Sequence, residues 1–274
     1  MRIAIIGGGG YIGTALCLHW KKKGHFITAT TKNPIKLKKL STIIQKTRLM
    51  DGGNLAEVKE LLKENDLIVV ALSANYHHYE KTFLPVAHTI KQAVSETPTT
   101  KHLLYISNGI VYGDHKGLWV DETSSLIPQT EEAKILIETE NIIHSLAESG
   151  WKITQFRLGQ IYGPGRSLQQ KLKALQTHII SGRENYFSNM IHQADVVGAL
   201  DYAMYHMLTG TYNVADDDHP TKKEMFDKLS ALLHLPKIRW SSQFDTIDNG
   251  NMRMSNHKIK SHGYSFIHPH RIYE

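Results

Sequence analysis

A short apolar run, four consecutive glycines and an amphipathic segment open this chain, and that order limits the fold more than any other feature. Ile3–Ile6 is rich in β-branched residues and too short for a helix, which predicts a buried strand. Gly7-Gly-Gly-Gly10 follows with no spacer. From Tyr11 to Lys23, Ile12, Leu16 and Trp20 recur four apart and so share one helix face. Lys21, Lys22 and Lys23 fall in the last turn, where cations meet the negative end of the helix dipole, and Gly24 supplies the stop. A strand, a glycine turn and a helix N-terminus together form an anion site, because backbone N–H groups point at an approaching phosphate. Glycine is required because a Cβ would hold a pyrophosphate off the backbone. The alternative is a tight turn without a ligand; the strand before it and the helix after it favour a dinucleotide. Gly7, Gly10, Tyr11, Ile12 and Gly13 are the expected cofactor-binding residues of this turn.

Strand-like and helix-like segments then alternate, which predicts parallel βαβ units and a Rossmann-like, doubly wound α/β sheet. Strands are expected at Phe26–Thr30, just before Asp51, and at Leu67–Ala71, His102–Ser107 and Lys152–Phe156. Helices are expected at Leu55–Lys63, Tyr79–Val94 and Glu131–Ser149. That makes six strands joined by crossovers. After Arg157 the segments shorten and Gly163-Pro-Gly165 breaks the chain, with helices expected at Leu168–Ile180, Asp195–Leu208 and Lys222–Leu233. Thr221 and Glu224 have capping-box spacing, and Asp195 is expected to cap the helix it precedes. The division predicted is residues 1–157 as a dinucleotide-binding domain and 158–274 as a smaller substrate lobe, interleaved, with some segments returning to the sheet.

Composition narrows the class of protein without naming it. The chain has 274 residues, 41% of them hydrophobic and 21% charged, enough for a large soluble core. No run approaches a membrane span, and the glycines interrupt the only apolar N-terminal stretch, so no membrane association and no secretory signal are expected. The single Cys17 excludes an internal disulfide and favours a reducing, cytoplasmic setting. The formal charge is +6, but Lys21–Lys23 and Lys36–Lys39 are its only clusters. A solvated basic surface, or a site tuned to a phosphorylated ligand, explains it better than nucleic-acid binding. Among the seventeen histidines, His77-His78 with Glu80 and His268-Pro-His270 are the densest groups. Neither has the paired spacing of a zinc site, so no metal is expected.

The residues after the second strand bear on which dinucleotide binds. An acidic side chain there accepts bonds from the ribose 2′-hydroxyl and selects NAD. This chain has Thr30-Thr31-Lys32 instead, and the hydroxyl of Thr31 with the ammonium of Lys32 suits a 2′-phosphate. NADP is therefore favoured over NAD, against the reading of Lys32 as a surface lysine beside the Asn33-Pro34 turn. Asp51 is a candidate for the adenine amino group, and equally a turn residue before Gly52-Gly53.

Several ordered motifs resemble the extended short-chain dehydrogenase/reductase superfamily, the NAD-dependent epimerase/dehydratase family. Gly7-Gly-Gly-Gly10-Tyr-Ile-Gly13 resembles its GxxGxxG signature. Asp66–Ser73 resembles its fourth strand, whose end, here Ala71, Leu72 and Ser73, lies beside the cofactor in the family. Tyr105–Gly113 is similar to the segment bearing its catalytic Ser or Thr, and Phe156–Arg166 to the crossing into its substrate lobe. Ile191–Asp195, Gly210–Val214 and Met252–Lys258 with Gly263-Tyr264 resemble later landmarks. The resemblance spans essentially the whole chain. It implies hydride transfer on a nucleotide sugar or another hydroxyl/carbonyl substrate, with Gln160 where the family contacts substrate; Arg166 is a candidate for holding a phosphate bidentately, and equally a structural residue. It also implies a homodimer formed through the helix bearing Lys134 and its neighbour.

The departures are informative. Family enzymes use a helical Tyr-x-x-x-Lys pair in which lysine lowers the tyrosine pKa and the phenol moves the proton. At the corresponding place stands Thr130-Glu-Glu-Ala-Lys134: the lysine, expected on the nicotinamide ribose, is kept, and a far weaker acid replaces tyrosine. Asn108 occupies the place of the family's Ser/Thr, with Ser107 one residue upstream. Gly109-Ile110 replaces the acidic pair of the dehydratases, which argues against dehydration by the usual route. A literal Tyr112-Gly-Asp-His-Lys116 crosses a turn and would not share a helix face. Lys134, Asn108 and Tyr112, the last as substitute acid, are the catalytic candidates of an enzyme reading. A non-catalytic NADP(H)-binding sensor is the alternative.

Overall fold

The computed structural model describes residues 1–73, 78–97, 99–176, 179–180, 183–241 and 250–273. Two compact units divide the chain: residues 1–107, 134–156 and 199–211 in the first, and 108–133, 157–198 and 212–274 in the second. Relative to the boundary read at residue 157, the first unit gives up 108–133 and takes back 199–211.

The chain begins with β1 (Arg2–Ile6), α1 (Tyr11–Lys22), β2 (Phe26–Thr31), α2 (Pro34–Ser41), β3 (Lys46–Leu49), α3 (Leu55–Glu64), β4 (Leu67–Val70), α4 (Tyr79–Ser95) and β5 (His102–Asn108). It continues through β6 (Trp119–Val120), α5 (Glu131–His144), β7 (Lys152–Leu158), β8 (Gln160–Tyr162), α6 (Leu168–Leu175), β9 (Ile179–Ile180) and β10 (Met190–His192). The remainder is α7 (Gln193–His206), β11 (Gly210–Val214), α8 (Lys222–Leu232), β12 (Arg239–Trp240), β13 (Arg253–Met254) and α9 (His257–Ser261).

Seven strands form one sheet in the order β11-β7-β5-β4-β1-β2-β3. β1 pairs in parallel with β2 on one side, Ile3 opposite Ile27, and with β4 on the other, Ile3 opposite Leu67. Strand order reverses at β1, which makes its carboxyl end the switch point where ligands of doubly wound sheets bind. Ile3, Ala4, Ile5 and Ile6 are all buried, as expected of a strand covered on both faces. The core of the first unit includes Ile6, Val58, Leu61, Val70, Val86, Ile90, Leu103 and Ile143. Each such aliphatic side chain contributes about 1.5–3 kcal/mol by leaving water. Ile12, Leu16 and Trp20 of α1 are buried as their spacing requires, and Trp20 Nε1 donates to Asp201 Oδ1 at 2.8 Å.

In the second unit, short parallel pairs β8–β10, β9–β12 and β6–β13 accompany α6, α8 and α9. Tyr162, Leu168, Leu172, Met190, Met225, Phe226, Leu229 and Ile238 form its core. Thr221 and Glu224 make the expected capping box on α8.

Three sequence readings need correction. The helix expected over 168–180 ends at Leu175, and Ile179–Ile180 pair with Arg239–Trp240 instead. β-Branched residues accept either state, and a partner some sixty positions away decides between them. The sheet has seven strands, not six, because Gly210–Val214 joins it as β11. Asp195 does not precede its helix: α7 starts at Gln193, and the Asp195 carboxylate accepts from the backbone N–H groups of Ile267 (2.5 Å) and His268 (3.1 Å). It anchors the C-terminal segment, helped by Tyr264, whose hydroxyl donates to the Asp195 carbonyl at 2.9 Å.

Candidate dinucleotide-binding site

The glycine loop lies at the end of β1 in the first unit. Gly7 has φ +86°, and a Cβ on it would come within 2.3 Å of the Ala71 carbonyl oxygen. A Cβ on Gly13 would stand 2.4 Å from the Gly7 oxygen, so only glycine lets α1 approach the loop this closely. Gly10 is the N-cap of α1 and contributes no side-chain cap, and the first turn of α1 carries no acidic residue. Backbone N–H groups and the helix dipole therefore meet an approaching anion with nothing negative beside them. Tyr11, Ile12 and Gly13 supply that first turn. A Cβ on Gly10 would lie 3.6 Å from Ser73 Oγ, so the end of the β4 segment borders the loop. Ala71 is buried there, and Leu72 is half-buried. An open helix N-terminus with no acidic side chain in its first turn, packed closely on a glycine loop, fits a pyrophosphate.

The second strand ends at Thr31, whose Oγ1 accepts from Asn33 N at 3.2 Å. Asn33 caps α2 by accepting from Ile35 N and Lys36 N. Lys32 Nζ lies 3.5 Å from Thr82 Oγ1. Lys36, which sequence reasoning treated only as part of a basic cluster, borders them: a Cβ on Gly9 would stand 2.9 Å from Thr31 Oγ1 and 3.2 Å from Lys36 Cβ. The regular spacing of a capped helix placed it there, and knowing where α2 begins would have revealed it. Asp51 Oδ1 accepts from Gly53 N at 2.8 Å, an Asx turn.

Thr130, Asn108 and Tyr112 each make hydrogen bonds within the fold. Thr130 precedes α5 rather than lying in it, and its Oγ1 accepts from Ala133 N at 3.2 Å, the geometry of an N-cap. Thr130 and Lys134 are therefore not a pair on one helix face. Lys134 itself is exposed, whereas Ala133, Leu136, Thr139, Glu140 and Ile143 of the same helix are buried. Glu140 accepts from Ser107 Oγ at 2.5 Å, a buried pair that sequence reasoning missed because it joins a strand to a distant helix. Asn108 opens a 3-10 turn over Gly109–Tyr112, its side chain accepting from Ile110 N at 3.0 Å.

Tyr112 is the expected substitute acid. It is fully buried in the second unit; its hydroxyl donates to Asn213 Oδ1 at 2.7 Å and accepts from Arg157 Nη1 at 3.1 Å. Burial pushes the phenol up to about 12, against the opposing pull of the Arg157 charge. A phenol held this way loses its proton less readily than a free tyrosine. Gly113 (φ +70°) and Lys116 (φ +54°) confirm that Tyr112 and Lys116 share no helix.

In the second unit Gln160 Oε1 accepts from Lys171 Nζ at 2.5 Å. Burial, with the charges of Lys222 and Arg271, brings the Lys171 ammonium down to about 8. Arg166 is exposed and closes a tight turn through backbone bonds to Gly163. His192, Asp195 and His268 come together, with one candidate ligand atom from each within 4.8 Å of the others. Yet His192 Nδ1 accepts from Ala194 N at 3.2 Å, which puts the ring proton on Nε2 and leaves that ring no free lone pair for a metal. His77 lies outside the described residues.

The sequence model of the NAD dependent epimerase/dehydratase family matches residues 3–215, and the chain belongs to that family. Among solved structures it is similar to a functionally unknown conserved protein from Silicibacter pomeroyi (23% identity, TM-score 0.81, covering 98% of this chain and 94% of that one). It is also similar to dTDP-glucose 4,6-dehydratase from Bacillus anthracis in complex with NAD (19%, TM-score 0.82, 98% and 92%). A third is UDP-glucose 4-epimerase from Thermus thermophilus in complex with NAD (18%, TM-score 0.80, 97% and 94%). At these identities the likeness establishes the fold. No curated protein matches the chain.

Among the described residues no helix is long and apolar enough to cross a membrane.

Proposed function

We propose that this chain binds NADP(H) at the glycine loop and acts as a cofactor-responsive binding protein, without the tyrosine-dependent chemistry of epimerases and dehydratases. One observation carries this reading: the side chains at the expected proton-transfer positions are already used, Thr130 and Asn108 as caps and Tyr112 as a buried phenol. The pyrophosphate would rest on the first turn of α1, from Gly10 to Gly13, and the adenine side would lie toward Asp51. Thr31 and Lys36 would hold the 2′-phosphate, Lys36 taking the part first given to Lys32. Ala71, Leu72 and Ser73 would border the cofactor, and exposed Lys134 would reach the nicotinamide ribose. The nicotinamide supplies hydride exchange when bound. The chain's own residues bind and orient it, and NAD-bound relatives of the same fold support the cofactor class.

A second reading, an oxidoreductase acting on a nucleotide sugar, draws on the Gln160–Lys171 pair. A desolvated ammonium bonded to a neutral amide gains from a substrate phosphate, and exposed Arg166 could add a bidentate contact.

Calorimetric titration with NADPH, NADP+ and NADH, followed by incubation with UDP-glucose and dTDP-glucose, separates the two readings. The first expects NADPH to bind about tenfold more tightly than NADH, with no sugar converted. Sustained conversion of either sugar would overturn it. Gly10→Asp should abolish dinucleotide binding while keeping the fold: Asp is a favoured N-cap, and its carboxylate would occupy the anion position.

A further inference from the structure

We propose that the first unit carries a second ligand site, at the amino-terminal ends of its strands, for a small apolar molecule bearing one acidic group. A cavity of about 260 Å³ opens beside Met1, Leu67, Lys101, Lys152, Met204 and Met207. Met1 precedes β1, Leu67 begins β4, Lys101 precedes β5 and Lys152 begins β7. Those four strands are neighbours in the sheet, so the cavity spans one continuous row of strand starts. The glycine loop leaves β1 at its other end, and five residues at about 3.3 Å each set the two sites roughly 16 Å apart.

The lining dictates the ligand. Three methionines and a leucine stand in the wall, and thioethers adapt to irregular apolar shapes. Met207 is 43% exposed and keeps a left-handed backbone, φ +50°, which residues with a Cβ seldom adopt. A cavity of about 150 Å³ takes benzene, so one of this size takes about ten non-hydrogen atoms.

Two lysines, Lys101 and Lys152, and one acidic residue, Asp66, line the cavity, and Asp66 Oδ2 already accepts from Arg2 N at 2.8 Å. Lys101 Nζ donates to the Asn65 carbonyl, a neutral acceptor, and burial holds its pKa below the usual lysine range against the pull of Asp66. A partly desolvated ammonium with only a carbonyl partner gains from a carboxylate. His102, also in the lining, adds no charge near neutral pH because burial brings it down to about 4. The lysines outnumber the carboxylate, and an excess of positive charge fits an anion.

Phenylacetate matches this size and charge, and 2-phenylethanol is its neutral counterpart. The test titrates each into the full chain carrying ¹³C-methyl methionine. The expected result is saturable shifts of the Met204 and Met207 methyl signals, with the acid binding about tenfold more tightly than the alcohol. The Lys101→Gln/Lys152→Gln double variant should erase that preference. Met207→Trp, at an exposed position, should fill the cavity and abolish the shifts. Excess NADPH should leave them unchanged. Absence of saturable shifts, equal affinity for acid and alcohol, or displacement by NADPH would each overturn the proposal.

Discussion

Replacing Tyr112 by Phe distinguishes a structural phenol from a catalytic one. The substitution keeps the ring, and with it the Arg157 guanidinium 4.9 Å from the ring centre. It removes one hydroxyl that donates to Asn213 Oδ1 at 2.7 Å and accepts from Arg157 Nη1 at 3.1 Å. Asn213 and Arg157 are both buried, at 0% and 6% exposure, so water cannot replace the lost partner. A bond to a charged donor contributes about 1.5–3 kcal/mol and a neutral one about 1 kcal/mol, so the variant should lose about 3 kcal/mol. In a chain of this size that lowers Tm by roughly 6–12 °C. Thermal unfolding followed by circular dichroism measures the loss. A parallel NADPH titration should give an unchanged dissociation constant, because the glycine loop belongs to the other unit. A variant with wild-type Tm whose nucleotide-sugar turnover has vanished would refute the reasoning and return the phenol to an acid's role.

Two further outcomes follow from single side chains. His102 is 4% exposed and its pKa falls from 6.5 to about 4, so the folded state keeps it neutral while the unfolded chain protonates it. Its stabilising contribution is complete above pH 6.5 and is lost as pH falls toward 4, about 3 kcal/mol in all. Urea unfolding of His102→Gln across that range should show a correspondingly shallower acid loss; an unchanged slope would refute the assignment. Thr130→Ala should cost about 1 kcal/mol through the lost cap, Thr130→Ser should restore it, and neither should alter dinucleotide binding. Lost binding in Thr130→Ala with stability intact would instead place that hydroxyl at the cofactor.

The strand–glycine–helix opening and the alternation of segments were enough to give the doubly wound sheet and the glycine loop at the end of β1. Local chemistry accounts for this: the apolar periods of Ile3–Ile6 and Ile12–Leu16–Trp20, and glycines where a Cβ has no room, are properties of neighbouring residues. The sequence singled out Thr130, Asn108 and Gly109, but not the bonds that Thr130 and Asn108 make. A Thr before a helix reads equally as a cap or as a displaced catalyst, and only the bond from Ala133 N separates the two. Tyr112 looked available because nothing nearby in sequence announces Asn213 or Arg157, which close over its hydroxyl from distant strands. Lys36 and Lys32 lie four residues apart, and the start of α2 at Pro34 decided which of them borders the glycines. The cavity at the strand starts depends on residues drawn from four strands and α7, so only the tertiary structure could bring its two lysines and three methionines together.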